Sequence, residues 1–314
     1  MISKSYPRVI TVGEATIDMI LQKDGSYRPV PGGSSIIVAL ALGRQGCNVA
    51  SLTPISSDGF GNLTRAHLES SGVDTSLLKV VQEPSTLAMA TIDAQGDARY
   101  RFYIEGCSQG TWTPEMIVKG ILPNDIISTC GSFSLGVDSM ATAFDALFEK
   151  FSEDHLIVFD PNVRADAIGD NTKLALERIE RWASQSSIVR ASTEDIIWLY
   201  PETTIEQVAK RFLDSGAKLV SISDGSIGAY AYTSKHVAFR PAQVAIKNDG
   251  ADTVGAGDTF NAGIMKWLMD EELLTTKLIS ELTLEQLRDM LDAGISLATH
   301  TCSQIGAEPP WVDA

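Results

Sequence analysis

A glycine-rich run near residue 255 has the residue types and spacing of an anion-binding turn. Residues 252–263 have the sequence DTVGAGDTFNAG, and the apolar positions 260, 264, 267 and 268 that follow share one helical face. Gly255, Ala256 and Gly257 are therefore predicted to form a tight turn that opens a helix. Backbone N–H groups at a helix start lack partners within the helix and carry the positive end of its dipole, so they attract phosphate oxygens.

Asp258 comes directly after this turn and places a carboxylate beside the predicted anion site. A carboxylate there can accept the proton of a hydroxyl that attacks a phosphoryl group, while the N–H groups stabilise the transferred oxygens. Acidic residues also occur in first helical turns for capping alone, and the local pattern leaves that alternative open. The chain has no GxxxxGK[ST] phosphate loop and no GxGxxG ahead of a VAIK strand.

The elements that must position this turn alternate between strand-like and helix-like segments. Strands are predicted at 9–12, 49–53, 126–128, 156–159 and 219–222, and helices at 63–71, 141–151, 174–182 and 205–213. This alternation predicts an α/β fold with a mostly parallel central sheet covered on both faces. The last third is predicted to add an antiparallel hairpin around 233–234 and long helices near 257–270 and 284–301.

Two segments do not fit the alternation. Residues 18–31 have strand-like ends around Asp24-Gly25, and residues 86–103 have strand-like halves around Gln95-Gly96. Together they predict a small second sheet that acts as a lid, covered by a ligand, the main domain or a second subunit. The alternative is that these strands extend the edge of the main sheet.

Composition excludes several classes of protein. With 314 residues and 44% hydrophobic content the chain can bury a large core, and a net charge of −15 argues against nucleic acid or an anionic membrane as its main partner. The N-terminus lacks a signal-peptide pattern, and no apolar run is long enough to cross a bilayer. Four dispersed cysteines without metal-ligand spacing indicate a reducing compartment, so a cytoplasmic protein is expected.

Several ordered motifs resemble those of the ribokinase-like, or PfkB, carbohydrate kinase family over nearly the whole chain. Residues 252–263 resemble its C-terminal signature, and residues 301–311 resemble the ending of bacterial fructokinases. The other matching segments are VGEATID at 12–18, PGGSS at 31–35, ISSDGFG at 55–61, DPNVR at 160–164 and SDGSIG at 223–228. An ordered set of this kind is far more specific than any single motif.

The resemblance implies a Rossmann-like three-layer core in one domain over residues 1–314, with a lid formed by about 18–31 and 86–105. It implies transfer of the γ-phosphoryl group of ATP to a sugar hydroxyl with Mg²⁺, a monovalent cation such as K⁺ in some relatives, and homodimers formed through the lid. Fructokinase is the leading expectation. The alternatives are a kinase for another ketose, 2-keto-3-deoxygluconate or a nucleoside, and a sugar or nucleotide sensor without turnover.

The resemblance also assigns roles around the acceptor. Asp258 would be the general base, and Gly255, Ala256 and Gly257 would form the anion hole. The predicted substrate-binding residues are Asp18, Gly32, Gly33, Phe102, Tyr103 and Arg164. Each has a structural alternative: a solvated hairpin Asp, a loop before a helix, lid or dimer packing for the aromatic residues, and a salt bridge for the arginine.

The nucleotide side is assigned in the same way. Arg190, Ser223, Gly225 and Gly228 are predicted to bind ATP, with a tight β-turn as the alternative for the glycines. Asp195 is predicted to help organise the water shell of Mg²⁺, with Glu194 as a substitute. Asp252 is predicted to contribute to a cation site, and a plain turn-initiating role is the alternative.

Four residues depart from the pattern of the relatives. Ile37 stands where they commonly place Asn, whose amide reaches a sugar hydroxyl, and Ile cannot make that hydrogen bond. Ile104 and Glu105 replace an Arg that fructokinases often carry, and Asp195 replaces a Glu. These departures bear on the identity of the acceptor and on the handling of magnesium.

Overall fold

A computed structural model of the chain describes residues 6–22, 24–92, 98–245, 253–304 and 306–312. In chain order, its strands are β1 (Val9–Val12), β2 (Thr16–Leu21), β3 (Tyr27–Gly32), β4 (Val49–Leu52), β5 (Pro54–Ser56), β6 (Lys79–Val81), β7 (Leu87–Ile92), β8 (Ala98–Tyr103), β9 (Ile126–Cys130), β10 (Leu156–Asp160), β11 (Ile188–Ser192), β12 (Leu219–Asp224), β13 (Gly228–Tyr232) and β14 (Val237–Pro241).

The helices lie between and after these strands. They are α1 (Ser34–Arg44), α2 (Gly59–Ser70), α3 (Pro114–Val118), α4 (Asp138–Phe151), α5 (Ala165–Ile168), α6 (Thr172–Ser184), α7 (Thr193–Leu199), α8 (Ile205–Ser215), α9 (Ala256–Asp270), α10 (Thr276–Ile279) and α11 (Leu284–Thr301). The predicted strands and helices are each found within a few residues of their expected bounds.

The central sheet has the strand order β14-β13-β12-β11-β10-β9-β1-β4. Its strands from β4 to β12 are parallel, and β13 and β14 are antiparallel to their neighbours. Parallel strands are buried on both faces, which explains why every residue of β1, β9 and β10 is buried rather than every second one. The predicted C-terminal hairpin is confirmed as β13 and β14, joined by a turn at 233–236.

Helices cover both faces of this sheet and make three layers. On one face, Val158 of β10 packs in a core with α1, α9 and α11, which contribute Leu40, Phe260 and Leu291 among others. On the other face, Phe159 packs with α4, α6 and α8, which contribute residues such as Phe148, Trp182 and Phe212. Adjacent residues of one strand point to opposite faces, so each strand serves both cores. The predicted three-layer α/β architecture is confirmed.

A second, smaller sheet has the order β3-β2-β7-β8. β2 and β7 pair in parallel through Asp18 and Ala88, while β3 and β8 pair antiparallel on the outside. These strands pair with one another rather than with the central sheet. The predicted separate sheet is therefore confirmed, and the alternative, that the strands extend the edge of the central sheet, is not what the structure has. The turn at Gln95-Gly96 lies outside the described residues. We call these four strands the lid sheet.

The carboxyl ends of the parallel strands bring chemically active residues to one edge of the central sheet. Glu14 follows β1, Asn162 follows β10, Glu194 follows β11, and Gly225 follows β12. Ligands in open α/β sheets bind at this edge. Within the described residues, no helix combines the length and the apolar character needed to cross a membrane.

Candidate active site

A cleft of about 1040 Å³ lies at this edge, with the lid sheet contributing to its wall. Asp18, Ala88 and Phe102 form one row across the lid sheet and all three line the cleft. The start of α9, the residues after β10, β11 and β12, and part of α11 also line the cleft. This volume is at the upper end of ordinary ligand sites, which measure roughly 300–1,000 Å³.

The predicted anion-binding turn opens α9 inside this cleft. Gly255 is the residue before the helix and has a φ of 75°, which a residue with a Cβ rarely adopts. A Cβ on Gly255 would also lie 2.7 Å from the Ala307 Cβ and 3.2 Å from Ile37 Cγ2, so the turn is tightly enclosed behind. Gly255, Ala256 and Gly257 line the cleft, and their position brings the first N–H groups of α9 to it.

Asp258 lies in the first turn of α9 and is 8% exposed, yet it lines the cleft. The hydroxyl of Ser34, at the start of α1, donates a hydrogen bond to its Oδ1. Burial raises the pKa of Asp258 to about 7; the Ser34 hydrogen bond opposes that rise, the charge of Asp160 adds to it, and Arg164 and Arg190 oppose it. A carboxylate with a pKa near neutrality is suited to accept a proton.

Asp18 stands across the cleft on β2 and is half-buried. Burial raises its pKa to about 6, and a hydrogen bond from Thr16 Oγ1 to Asp18 Oδ1 at 2.9 Å opposes the rise. Gly32 on β3 makes room for this carboxylate, because a Cβ on Gly32 would lie 2.4 Å from Asp18 Oδ2. Gly33 lines the cleft with a φ of 100°, whereas Gly32 lies behind Asp18 and does not line it.

The two aromatic residues predicted on the lid lie on opposite faces of β8. Phe102 lines the cleft and packs edge-on against Phe133, with the ring centroids 4.9 Å apart. Tyr103 is 46% exposed on the outer face of the lid sheet. Ile104 is half-buried against the core, and neither it nor the exposed Glu105 lines the cleft, so this departure from relatives does not alter the cleft wall.

Arg164 is exposed at the start of α5 and lines the cleft. Its Nη1 donates to the Val163 carbonyl at 3.0 Å. Within the described ranges no carboxylate lies at ion-pair distance from it, so the structural salt bridge that was the alternative is not formed there. Its charge still lowers the pKa values of both Asp18 and Asp258 against the effect of burial.

Arg190, at 4% exposure, joins the anion-binding turn to the central sheet. Its Nη1 donates to Asp160 Oδ2 at 2.8 Å, and its Nη2 donates to Ser223 Oγ at 2.6 Å. A Cβ on Gly257 would lie 2.8 Å from Arg190 Nη2, so the guanidinium packs directly against the turn. A fixed positive charge there complements negative oxygens gathered by α9.

The two glycines after β12 differ in how closely they are packed. Gly225 has a φ of 47°, and a Cβ placed on it would meet nothing within 4 Å. Gly228 begins β13, and a Cβ on it would lie 2.1 Å from the Arg240 carbonyl oxygen, so it permits close strand pairing. Both line the cleft, together with Ser223.

Of the two residues predicted to bind metal, Asp195 already accepts hydrogen bonds from the protein. Asp195 Oδ1 accepts from the Val163 N–H at 2.7 Å, and Oδ2 accepts from the Ser192 N–H at 2.8 Å and from Ser192 Oγ. Glu194, one residue earlier, is exposed and lines the cleft. Asp252 lies outside the described residues. Across the described part of the chain, no three His, Cys, Asp or Glu side chains form a metal-binding group.

Four residues in or next to the cleft received no role from the sequence. Glu14 and Ser34 are buried beside Asp258, Asp160 holds Arg190, and the buried Asn162 leaves Nδ2 without a hydrogen-bond partner. Asn162 also has a φ of 40°, which only the fold reveals. Glu14, Ser34 and Asp160 lie in the matched motifs, so their location was detectable although their contacts were not.

This geometry defines a class of protein. A buried carboxylate with a pKa near 7, beside helix N–H groups and a fixed arginine, can take a proton from a hydroxyl while the N–H groups stabilise a transferred anionic group. The site is that of a phosphotransferase acting on a hydroxyl acceptor. Comparison with known proteins agrees: the sequence pattern of the pfkB family of carbohydrate kinases matches residues 7–313, and the chain belongs to that family.

A curated relative supports a narrower comparison. The fructokinase of Rhizobium leguminosarum bv. trifolii is 33% identical over 290 residues, covering 90% of this chain and 86% of the relative. The chain is therefore a carbohydrate kinase similar in sequence to a fructokinase.

Solved structures show the same fold. A fructokinase from Xylella fastidiosa with bound ATP superimposes with a TM-score of 0.87 at 19% identity, covering 96% of this chain and 94% of the other. A fructokinase from Vibrio cholerae O395 with fructose, ADP and potassium ion bound gives a TM-score of 0.83 at 21% identity, with 98% and 95% coverage. The ribokinase-like fold expected from the motifs is confirmed.

Proposed function

We propose that the protein is an ATP-dependent fructokinase, which transfers the γ-phosphoryl group of ATP to a hydroxyl of fructose. The observation that carries this proposal is the carboxylate of Asp258 at the start of α9, buried within a cleft large enough for two substrates. The similarity to the fructokinase of Rhizobium leguminosarum supports fructose as the acceptor.

In this proposal Asp258 accepts the proton of the attacking hydroxyl. The N–H groups of the turn at 255–257 stabilise the oxygens of the transferred group, and the guanidinium of Arg190, which packs against Gly257, adds positive charge next to the turn. Asp18 accepts hydrogen bonds from other hydroxyls of the sugar. Phe102 and Gly33 enclose the acceptor from the lid sheet and the start of α1 and exclude water, which protects ATP from hydrolysis.

The charge at the acceptor end favours a neutral sugar. Glu14, Asp18 and Asp258 all line this end. The exposed Arg164 is a positive group whose charge lowers the pKa values of both Asp18 and Asp258. An acidic acceptor such as 2-keto-3-deoxygluconate would place a further negative charge among three carboxylates, which is unfavourable at short range. Ile37 adds an apolar patch to the same wall.

ATP is assigned to the opposite end, between Ser223, Gly225, Gly228 and the start of α9. The open space at Gly225 allows a ligand to approach the backbone. Mg²⁺ takes one or two carboxylates and keeps several waters. The exposed carboxylate of Glu194 fits that requirement, with Asp195 fixing the helix start that carries it. Magnesium supplies charge neutralisation to the phosphates, and Asp252 remains a proposed contributor to a monovalent-cation site such as K⁺.

Homodimers formed through the lid sheet are also part of the proposal. Its outer face presents Tyr103 at 46% and Leu21 at 40% exposure, next to the half-buried Met19, Leu87 and Met89. Light scattering after gel filtration tests this, since Tyr103→Glu is expected to convert dimers to monomers without loss of fold.

An acceptor panel tests the proposed function. ATP consumption is measured with fructose, other ketoses, 2-keto-3-deoxygluconate and nucleosides at equal concentration, and the product is identified by mass. Fructose is expected to give the highest kcat/KM. Turnover with another acceptor alone would replace fructose, and binding without any turnover would make the protein a sensor and overturn the kinase mechanism.

A further inference from the structure

The two oxygens of the Asp258 carboxylate have different surroundings. Oδ1 accepts the hydrogen bond from the Ser34 hydroxyl. No other hydrogen bond to the Asp258 side chain is formed by the described residues, so Oδ2 is left to the cleft that Asp258 lines. One oxygen is therefore held by the protein and the other is available to a bound hydroxyl.

Ser34 is itself fixed by an independent contact. It is the first residue of α1, follows the left-handed Gly33, and is 5% exposed. Its backbone N–H donates to Glu14 Oε1 at 3.1 Å, and Glu14 Oε2 accepts from the Cys130 thiol at 3.1 Å. The donor to Asp258 is thus tied to the ends of two central strands, β1 and β9.

We propose that Ser34 is a positioning residue for the base: its hydroxyl orients the Asp258 carboxylate and leaves Oδ2 to accept the proton of the acceptor. The proposal rests on the proposed function, because it requires Asp258 to act as the base. A fixed orientation matters since proton transfer needs the acceptor oxygen within hydrogen-bond distance and correctly aligned. The Ser34 contact joins residues 224 positions apart, so a local helix cap does not explain it.

Ser34 also acts on the charge of the base. A hydrogen bond donated to a carboxylate favours its ionised form, and the Ser34 bond lowers the pKa of Asp258 against the larger effect of burial. The charged or titratable groups that also face Asp258 or its partner Ser34 are Asp160 on β10, Arg164 before α5, Arg190 on β11, Cys130 on β9 and Glu14 after β1. They are unchanged by a substitution at Ser34, so a shift in the pH profile reports on the serine.

The test compares Ser34→Ala with Ser35→Ala. Ser35 is the adjacent residue, 4% exposed, and its hydroxyl donates to the Glu14 carbonyl at 2.9 Å rather than to Asp258. For Ser34→Ala, loss of a hydrogen bond to a charged group is expected to lower the high-pH plateau of kcat roughly tenfold. The acidic limb of the pH profile is expected to move up by about one pH unit. Ser35→Ala is expected to leave the limb unmoved.

Conservative variants keep the test decisive if the alanine variant folds poorly. Ser34→Thr retains the hydroxyl and is expected to keep the acidic limb of the wild type, while Ser34→Cys, a weaker donor, is expected to give an intermediate shift. Folding of each variant is checked by thermal denaturation.

Three outcomes would overturn the proposal. They are a wild-type profile for Ser34→Ala, a lowered plateau with an unmoved limb, and a raised KM for the acceptor with kcat and limb unchanged, which would assign Ser34 to acceptor binding. Two other failures are separate: near-normal turnover of Asp258→Asn would overturn the base assignment, and absence of wild-type turnover on the acceptor panel would overturn the proposed function. Loss of turnover in Asp258→Asn with no effect of Ser34→Ala would sink only the positioning role.

Discussion

The starts of α9 and α7 carry the same sequence signal and put it to different use. Each has an aspartate in its first turn and lies at the same edge of the central sheet. Asp195 of α7 accepts three hydrogen bonds, from the Val163 N–H and from the N–H and hydroxyl of Ser192, and completes a capping box. Asp258 of α9 accepts one, from a serine distant in sequence.

This difference separates a carboxylate used for folding from one available for chemistry. Protein donors satisfy both oxygens of Asp195, Val163 on Oδ1 and Ser192 at the helix start on Oδ2, so Asp195 stabilises the start of α7. Asp258 caps nothing: the residue before α9 is Gly255, with no side-chain cap, and burial without full hydrogen bonding leaves the Asp258 pKa at about 7. A buried carboxylate with a raised pKa in a cleft is a candidate for a functional group.

The largest expected effect comes from Asp258→Asn. The amide keeps the shape of the side chain but cannot accept the proton, so kcat is expected to fall roughly 10²–10⁴-fold, the usual contribution of a general base. Steady-state rates with the best acceptor of the panel measure this. A variant that retains a tenth or more of wild-type kcat would show that the base lies elsewhere.

The same substitution at the other helix start is expected to act on stability. In Asp195→Asn an NH₂ group replaces one of the two carboxylate oxygens that accept hydrogen bonds from N–H groups. One of these hydrogen bonds is lost and two donors then face each other, so the free energy of unfolding should fall by about 2 kcal/mol. Urea denaturation monitored by circular dichroism measures it, with Glu194→Gln as the matched control one residue earlier. If stability is unchanged and the variant requires more magnesium for activity, the main role of Asp195 would be in magnesium binding rather than in capping α7.

The pH dependence of catalysis tests the raised pKa values of Asp258 and Asp18. Asp258 must be ionised to accept a proton, and burial raises its pKa to about 7, so kcat/KM for the acceptor should fall on acidification through that pH. One group titrating there gives a loss of about tenfold between pH 8 and pH 6. Below about pH 6 the profile should steepen, because Asp18 is then protonated as well. A flat profile from pH 8 to pH 6 would contradict the raised pKa of the base.

The smallest expected effect is a gain in stability. A carboxyl whose pKa is higher in the folded state than in the unfolded state favours folding when protonated, and this contribution is lost as pH rises through 7. The Asn side chain of Asp258→Asn does not titrate, so the variant does not lose this contribution when the pH rises. The difference in free energy of unfolding, variant minus wild type, should therefore increase by about 1 kcal/mol between pH 6 and pH 8. Chemical denaturation at the two pH values checks this, and Asp195→Asn should show no such increase.

Much of the fold was predictable because its signals are local. Continuous apolar strands, amphipathic helices and the turn signals at Gly25 and residues 233–236 each depend on neighbouring residues, and the structure has them at the expected places. The glycine turn at 255–257 was predictable for the same reason, since helical spacing follows it directly. The pairing of β2 with β7 was only an expectation, because it joins residues about seventy positions apart.

The contacts of the site were not predictable, because they join distant segments. The sequence places Glu14, Ser34 and Asp258 in separate motifs, and nothing local shows that one chain of hydrogen bonds links them. It also could not show that Gly32 makes room for the Asp18 carboxylate, or that Tyr103 points away from the cleft while Phe102 points into it. Such facts depend on which face of a strand meets which neighbour.

The bond between α1 and α9 has a consequence for how the protein comes to be active during synthesis. Ser34 is synthesised early and Asp258 late, 224 residues apart. The bond therefore closes a long loop, and it forms only after both segments have been made. Under the proposed mechanism, a nascent chain that has made the lid strands but not α9 lacks the base, so phosphoryl transfer is expected only after α9 has folded against α1.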